Sequence, residues 1–280
     1  MNGENLDPIL ARNIIEPIAA SGIPPEFGLE YFTSGLEPYL DALREEYLKS
    51  FIKDGGSAFK MVVGVCGGGK THFLYSVRNL AWRLAYAVCY VSLSSQESPF
   101  HKLELVYKAI AKNICPPIPN AQLVRGGYER GIGALIKDWY ARNQPHTSGP
   151  SDELEDTSAL DLERIESKSF AKAVSAAYQA LGERSYAKFD SIEQWLTGEG
   201  YDRKNHQQFG ILQRIDRTTA FTMIRSMSQW LREIGYSGFV VLLDEAERVP
   251  SLSTRQRDTH LSNLGKGVNA VESPPTRLTT

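Results

Sequence analysis

Apolar residues in the first part of the chain recur at helical spacing and then form a short uninterrupted run. Residues 9–20 are predicted to form a short helix, in which Pro17 marks a kink or a stop. From Leu36 the apolar positions recur at helical intervals, which predicts a second helix that ends before Gly55. The segment 59–65 has a continuous apolar centre, which is typical of a strand buried on both faces of a parallel sheet.

Helical and strand patterns alternate after this segment. Apolar spacing predicts a helix over 73–84, a buried strand over 87–95 and a helix over 101–112. Five consecutive apolar residues at 239–243 predict a further buried strand. Because strands that alternate with helices are typical of a parallel sheet with right-handed crossovers, we expect the α/β fold class.

The middle of the chain has a different pattern. Between about 120 and 235 the apolar residues keep a helical period without a convincing strand, and a helix over 219–234 ends at Gly235. Residues 143–158 are polar, acidic and contain proline and glycine, which favours a surface linker. The predicted domain organisation is an N-terminal helical segment (1–57), the first half of the core (58–118), a large helical insertion (119–236) and the C-terminal part of the core (237–280).

Composition and charge bound the possible functions without deciding among them, since a local basic face remains possible. The 280 residues are 42% hydrophobic, and 31 basic residues nearly balance 33 acidic ones, so bulk charge gives no sign of nucleic-acid binding. Three cysteines without CxxC spacing indicate neither a disulfide framework nor a zinc site. The sequence has no secretion signal and no run of about 18 apolar residues. These features predict a cytoplasmic protein without a membrane segment.

Residues 64–71, GVCGGGKT, carry the phosphate-binding pattern GxxxxGK[ST] between the predicted strand and helix. Glycines let the backbone wrap closely around phosphate oxygens, and the helix adds its N-terminal N–H groups and positive dipole end. Lys70 can reach the β- and γ-phosphates, and the Thr71 hydroxyl can hold Mg²⁺, so the segment predicts a site for Mg-ATP. The predicted nucleotide-binding residues are Gly64, Cys66, Gly67, Gly68, Gly69, Lys70, Thr71 and His72.

The segment FVVLLDEAE supplies the acidic half of the predicted site. Asp244 is predicted to bind Mg²⁺ beside Thr71, because parallel strands end at the same edge of a sheet. Glu245 is predicted to activate the attacking water and is, together with Lys70, a candidate catalytic residue. Each feature alone has a simpler interpretation: a glycine-rich turn, solvated acids at a strand end, or a packing role for His72. Their joint occurrence favours the nucleotide site.

The two motifs resemble a known class of ATPases. GVCGGGKTHFL followed by VVLLDEAE resembles the additional-strand, catalytic-glutamate division of P-loop ATPases, which includes AAA+ proteins. SGIPPEFGLEYFTSGLEPYLDALREEYL and LDEAERVPSLSTRQRDTHLSNL are similar to ATP-binding proteins of bacterial BREX phage-defence systems, of the BrxD type, over roughly residues 9–263. The resemblance implies a three-layer αβα P-loop NTPase core and ATPase activity in a cytosolic multi-gene defence system, with DNA or DNA-modifying proteins as partners.

The chain departs from this class after Glu245. The resemblance implies the strand order 5-1-4-3-2, in which a further strand lies between the acidic strand and the strand of the glycine-rich loop. Only 35 residues follow Glu245, and after a predicted helix through RQRDTHLSNL the tail has no good strand. We therefore expect a core truncated at its C-terminus, whose stability and hydrolysis depend on completion by another chain.

Three functions fit the motifs. The first is a Mg-dependent ATPase, and the second is a nucleotide-gated switch or scaffold, as in STAND-type proteins, that binds ATP with little or no hydrolysis. The third, a small-molecule kinase, is less favoured because the helical insertion and the Asp-Glu pair indicate an ATPase. The expected partners are ATP, a homo-oligomer or other defence proteins, and DNA. Arg255 and Arg257 are either arginine fingers toward a neighbouring subunit or solvated helix residues.

Overall fold

The computed structural model describes residues 8–22, 24–93, 102–125, 127–143 and 162–245. These residues form two compact units, of which the first comprises 8–84 and 117–128 and the second comprises the rest. Within the described ranges, no helix is long and apolar enough to cross a membrane. The predicted linker after residue 143, the predicted helix after Glu245 with its two arginines, and the tail lie outside the described residues.

Helices dominate the described part of the chain. In chain order they are α1 (Pro8–Ser21), α2 (Glu37–Ala42), α3 (Lys70–Arg83), α4 (Leu103–Asn113), α5 (Asn120–Arg125), α6 (Ile132–Arg142), α7 (Lys168–Gly182), α8 (Tyr186–Leu196), α9 (Arg203–Gln207) and α10 (Ala220–Glu233). The strands are β1 (Tyr86–Ser92), β2 (Ile114–Cys115) and β3 (Gly238–Asp244). A π-helical segment, Leu43–Phe51, continues α2, and 3₁₀ turns occur at Leu29–Tyr31 and Leu162–Arg164.

In the first unit, both helices predicted before the glycine-rich loop are present. α1 continues past Pro17, where the prediction allowed a kink or a stop. α2 begins directly after Leu36 and has Pro38 in its first turn, where a backbone N–H is not needed. The π-helical continuation was not predicted from the spacing of apolar residues. It ends with a hydrogen bond of 2.8 Å from the Ile52 N–H to the Tyr47 carbonyl.

The second unit contains a three-stranded sheet in the order β2-β1-β3. β1 and β3 are parallel, in a register that pairs Tyr86 with Gly238 and Ser92 with Asp244. Two of the predicted strands and their parallel arrangement are therefore confirmed. β2 is a two-residue strand that pairs with β1 in the antiparallel direction, and the apolar pattern did not predict it.

Helices of the second unit cover one face of this sheet. Alternate residues of β1 and β3 face a core built with α4, α6, α7, α8 and α10, as the period of two along a strand requires. The described residues between 120 and 235 form no strand, which confirms the helical character predicted for this range. The three-layer αβα core stays a prediction. The strand residues that face the helical core are Ala87, Cys89, Val91, Phe239, Val241 and Leu243.

Three tryptophans lie at the centre of this core. Trp139, Trp195 and Trp230 are almost completely buried, as their places in helical apolar patterns predicted. The rings of Trp139 and Phe170 each meet that of Trp230 edge to face, with 6.1 Å between ring centroids. Large aromatic side chains in this arrangement contribute buried area and favourable ring contacts. The helices are therefore tied together mainly by apolar packing.

The strand predicted at 59–65 is wrong. Residues 56–65 have no regular secondary structure, and the side chains of Met61, Val63 and Val65 are 69%, 86% and 78% exposed. A strand obtains its backbone hydrogen bonds from neighbouring strands. Among the described residues, no strand pairs with β3 on the side away from β1. The apolar run therefore has no described strand to pair with.

Two buried tryptophans provide a test of this packing. Trp195 donates its indole N–H to the Gln213 carbonyl at 2.9 Å, whereas the indole nitrogen of Trp230 has no hydrogen-bond partner in the described part of the chain. We expect Trp195→Phe to lower the free energy of unfolding by about 1 kcal/mol more than Trp230→Phe, because only Trp195→Phe leaves a carbonyl unpaired. Urea denaturation measures both losses, and equal losses would contradict the expectation.

Candidate functional site

The glycine-rich loop, residues 64–69, leads directly into the N-terminus of α3. Gly67 and Gly69 have φ angles of +74° and +81°, which side chains with a Cβ rarely allow. The Gly68 N–H donates to the Val65 carbonyl at 3.0 Å, and a Cβ on Gly68 would lie 3.0 Å from that oxygen. The loop therefore requires glycine because of its own backbone conformation.

The start of α3 fits an anionic ligand. The N-cap residue of this helix is Gly69, which has no side chain that could cap the first N–H groups. The first N–H groups of any helix lack partners within the helix, and the helix dipole places partial positive charge there. The loop residues are exposed to solvent. A phosphate chain is the kind of ligand that such donors bind.

Lys70, the first residue of α3, folds its side chain back over the loop. Its Nζ donates to the carbonyls of Gly64 and Val65, at 3.4 and 3.3 Å. The ammonium group therefore lies beside the loop backbone. Its positive charge adds to that of the helix dipole at the same place.

His72 lies in the first turn of α3 and contacts the segment that contains the first 3₁₀ turn. Its Nε2 lies 2.8 Å from Thr33 Oγ1, and its ring centroid lies 5.1 Å from that of Phe32. Because the Thr33 hydroxyl donates its hydrogen to the Leu29 carbonyl at 2.6 Å, it accepts from His72, which places a proton on Nε2. Burial lowers the pKa of His72 and favours the neutral ring. A nucleotide contact by His72 stays a prediction.

An ion pair between a buried arginine and a half-buried glutamate holds another part of the N-terminal segment against α3. The Arg78 side chain is 3% exposed, donates from Nη1 to Glu26 Oε2 at 2.8 Å, and donates from Nη2 to the Glu26 carbonyl. The Tyr128 hydroxyl donates to the same carboxylate at 2.5 Å. The guanidinium carbon lies 4.7 and 4.6 Å from the ring centroids of Tyr75 and Trp82. The cation–π contacts lie within α3 and orient the arginine, and the hydrogen bonds to Glu26 attach the helix that follows the loop to the N-terminal segment.

Asp244 ends β3 in the second unit, where its side chain is almost completely buried. Its Oδ2 accepts a hydrogen bond from the Tyr90 hydroxyl at 2.6 Å, and its Oδ1 accepts one from the Glu245 N–H at 2.8 Å. Both donors approach the carboxylate at the carboxyl-terminal edge of the parallel pair β1 and β3. This is the edge at which ligands bind in parallel α/β sheets.

Glu245 has a backbone conformation that is uncommon for a residue with a side chain. Its φ angle is +59°, in the left-handed region. This turn directly after β3 accompanies the hydrogen bond from the Glu245 N–H back to Asp244. Non-glycine residues in this region cost about 1 kcal/mol or more, and they occur frequently at functional sites. The conformation is therefore compatible with a functional role for the Asp-Glu pair.

The predicted site residues fall into two groups. Residues 64–72 lie in the first unit, whereas Asp244 and Glu245 lie in the second. Within the described ranges, no three His, Cys, Asp or Glu side chains come together as metal ligands. Mg²⁺ at nucleotide sites typically uses one or two protein carboxylates together with phosphate oxygens, so a single carboxylate suits this type of site. Metal binding by Thr71 and by Asp244 stays a prediction.

Sequence reasoning missed three residues that support these groups. Arg78 lies in an amphipathic helix, where an arginine ordinarily indicates a solvated face, and its partner Glu26 is far away along the chain. Tyr90 looks like an ordinary residue of a buried strand. The register of β1 with β3 would have revealed that Tyr90 lies near Asp244, because Tyr90 pairs with Leu242, two residues before Asp244. That register was not known from the sequence.

Comparison with known proteins identifies one family. The family model described as BREX system ATP-binding protein BrxC/D matches residues 8–276, which is nearly the whole chain. No curated protein matches significantly, and no solved structure does.

The ion pair on α3 predicts a large difference between two glutamate substitutions in the first unit. We expect Glu26→Ala to lower the free energy of unfolding by about 3 kcal/mol, because it leaves the buried guanidinium of Arg78 without its carboxylate. Glu16→Ala is the control, since Glu16 pairs with Arg12 at 3.7 Å on an exposed surface and should contribute less than about 1 kcal/mol. Urea denaturation compares them, and similar losses would contradict this role of Arg78.

Proposed function

Because the chain belongs to the BrxC/D family of BREX system ATP-binding proteins, we propose that it is a P-loop ATPase that uses Mg²⁺ and acts in phage defence. The observation that carries the proposal is the glycine-rich loop at the start of α3, in which Gly67 and Gly69 adopt positive φ angles. A family match over residues 8–276 supports ATP as the ligand of this loop.

Phosphate binding is the first task of the proposed site. The backbone N–H groups of residues 67–71 bind phosphate oxygens, with Gly64, Cys66 and His72 as further predicted contacts. Lys70 moves its ammonium from the loop carbonyls to the β- and γ-phosphates and neutralises part of their charge. Binding thus exchanges weak neutral acceptors for charged ones, which form stronger hydrogen bonds.

Hydrolysis requires the acidic pair as well. In the proposal, the Thr71 hydroxyl and the Asp244 carboxylate would bind Mg²⁺, which would supply electrostatic stabilisation of charge on the phosphates. Glu245 accepts a proton from the attacking water, and Lys70 stabilises charge that develops on the phosphate oxygens. The hydrogen bonds of Asp244 to Tyr90 and Glu245 orient its carboxylate.

The proposed role in defence implies partners that the site itself does not identify. We propose a cytoplasmic protein that works as a homo-oligomer or with other proteins of the defence system, and DNA is a further candidate partner. ATP turnover by the purified chain, measured with and without double-stranded DNA, tests both the ATPase activity and the role of DNA. Stimulation by DNA would support a DNA-linked role, whereas unchanged turnover would favour protein partners.

A nucleotide-gated switch is the second candidate function. One observation favours it: the segment that leads into the loop, residues 56–65, forms no strand, so strand pairing does not hold this segment in place. A switch needs ATP binding but not rapid hydrolysis. Tight ATP binding with negligible turnover would support the switch, and steady turnover would support the ATPase.

Replacing the loop lysine should weaken nucleotide binding. We expect Lys70→Ala to raise the dissociation constant for ATP by about 100-fold, because it removes a charge-assisted hydrogen bond to phosphate. Lys49→Ala is the control, since Lys49 is an exposed lysine of the same unit that pairs with Glu45. Isothermal titration calorimetry measures both constants, and an unchanged constant for Lys70→Ala would contradict phosphate binding by this residue.

Replacing the second acid should separate binding from hydrolysis. We expect Glu245→Gln to lower kcat by about 100-fold or more while ATP still binds, because the amide cannot accept the proton of water. Glu233→Gln, at the end of α10, is the control with the same change of charge. Turnover like that of the wild type in Glu245→Gln would exclude Glu245 as the general base.

A further inference from the structure

Tyr90 and Asp244 are brought together by the register of two parallel strands. Tyr90 of β1 pairs directly with Leu242 of β3. Directly paired residues point to the same face of a sheet, and residues two apart on one strand also share a face. Tyr90 and Asp244 are therefore diagonal neighbours on one face. This face is opposite to the one on which Cys89 and Val241 pack against the helical core.

Only a long side chain can bridge this diagonal. Adjacent strands lie about 4.8 Å apart and each residue advances about 3.3 Å, so the two Cα atoms are separated by about 8 Å. Aromatic side chains span such diagonals, whereas short hydroxyl side chains do not. The phenol hydroxyl of Tyr90 accordingly reaches Asp244 Oδ2 at 2.6 Å.

Two hydrogen bonds orient the carboxylate of Asp244. The Glu245 N–H donates to Oδ1, and the Tyr90 hydroxyl donates to Oδ2. Because donors approach both oxygens, the carboxylate is oriented before a metal ion arrives. Groups that orient a metal ligand in this way commonly change metal affinity by 10- to 100-fold when they are removed.

We propose that Tyr90 is a positioning residue for the magnesium-binding carboxylate of Asp244. This inference rests on the proposed function, in which Asp244 binds Mg²⁺. Tyr90 acts through Asp244, to which its hydroxyl donates a hydrogen bond. Its hydroxyl orients the carboxylate so that metal binding requires little rearrangement of the side chain.

The test measures how much Mg²⁺ strengthens ATP binding. The dissociation constant for ATP is determined by calorimetry in EDTA and in excess Mg²⁺, and the ratio of the two constants is the Mg²⁺-dependent gain. We expect Tyr90→Phe to reduce this gain roughly tenfold while the constant in EDTA changes less than about twofold. A merely structural role would alter stability, or both constants together, and would leave the gain unchanged.

Tyr236→Phe is a matched control in the same unit. The Tyr236 hydroxyl donates to Asp138 Oδ2 at 2.6 Å. This hydrogen bond has the same chemical groups and the same length as that of Tyr90 with Asp244, but neither of its residues belongs to the proposed site. We expect this variant to keep the wild-type gain. The gain is a ratio of constants measured on folded protein, so a smaller folded fraction lowers the amplitude of the heat and not the ratio.

Asp244→Asn distinguishes failure of this inference from failure of the proposed function. If Asp244→Asn loses the gain but Tyr90→Phe keeps it, the positioning role of Tyr90 is overturned and magnesium binding by Asp244 stands. If neither the wild type nor any variant gains affinity from Mg²⁺, the magnesium site is overturned and the role of Tyr90 is overturned with it.

Discussion

The proposed nucleotide binding depends on one constraint: the backbone must turn tightly in the glycine-rich loop that leads into α3. The positive φ angles of Gly67 and Gly69 meet that constraint, and the side chain of Lys70 adds a positive charge at the same place. The rest of the first unit keeps this helix in position. The Arg78–Glu26 pair and the His72–Thr33 hydrogen bond attach two parts of the N-terminal segment to α3, so a change far from the loop in sequence can affect the loop.

In the second unit, strand pairing and core packing hold the acidic pair Asp244 and Glu245 in place. Asp244 lies at the end of a strand whose other residues are held by pairing with β1 and by packing against a helical core. The carboxylate is buried, yet it accepts hydrogen bonds on both oxygens, which offsets the cost of removing a charged group from water. Glu245, directly after this strand, has a left-handed backbone conformation. Each unit therefore contains one group of the predicted site residues.

The sequence predicted those parts that depend on local patterns. α3, β1 and β3 were predicted because their apolar positions and the glycine-rich loop carry their own signals. The predicted strand at 59–65 failed because an apolar run does not specify which strands will pair with it, and no described strand pairs with the outer side of β3. β2 was missed because a two-residue strand has no period. The contacts of Arg78 and Tyr90 were missed for a related reason, since they join residues that only the tertiary fold or strand register brings together.

The most direct measurement compares the affinities of the purified protein for ATP, ADP and adenosine by calorimetry in the presence of Mg²⁺. If the loop binds phosphate through backbone N–H groups and Lys70, ATP and ADP should bind at least about 100-fold more tightly than adenosine, because adenosine has no anionic group for these donors. Equal affinities for ATP and adenosine, or the absence of binding by folded protein, would contradict the central role of the glycine-rich loop.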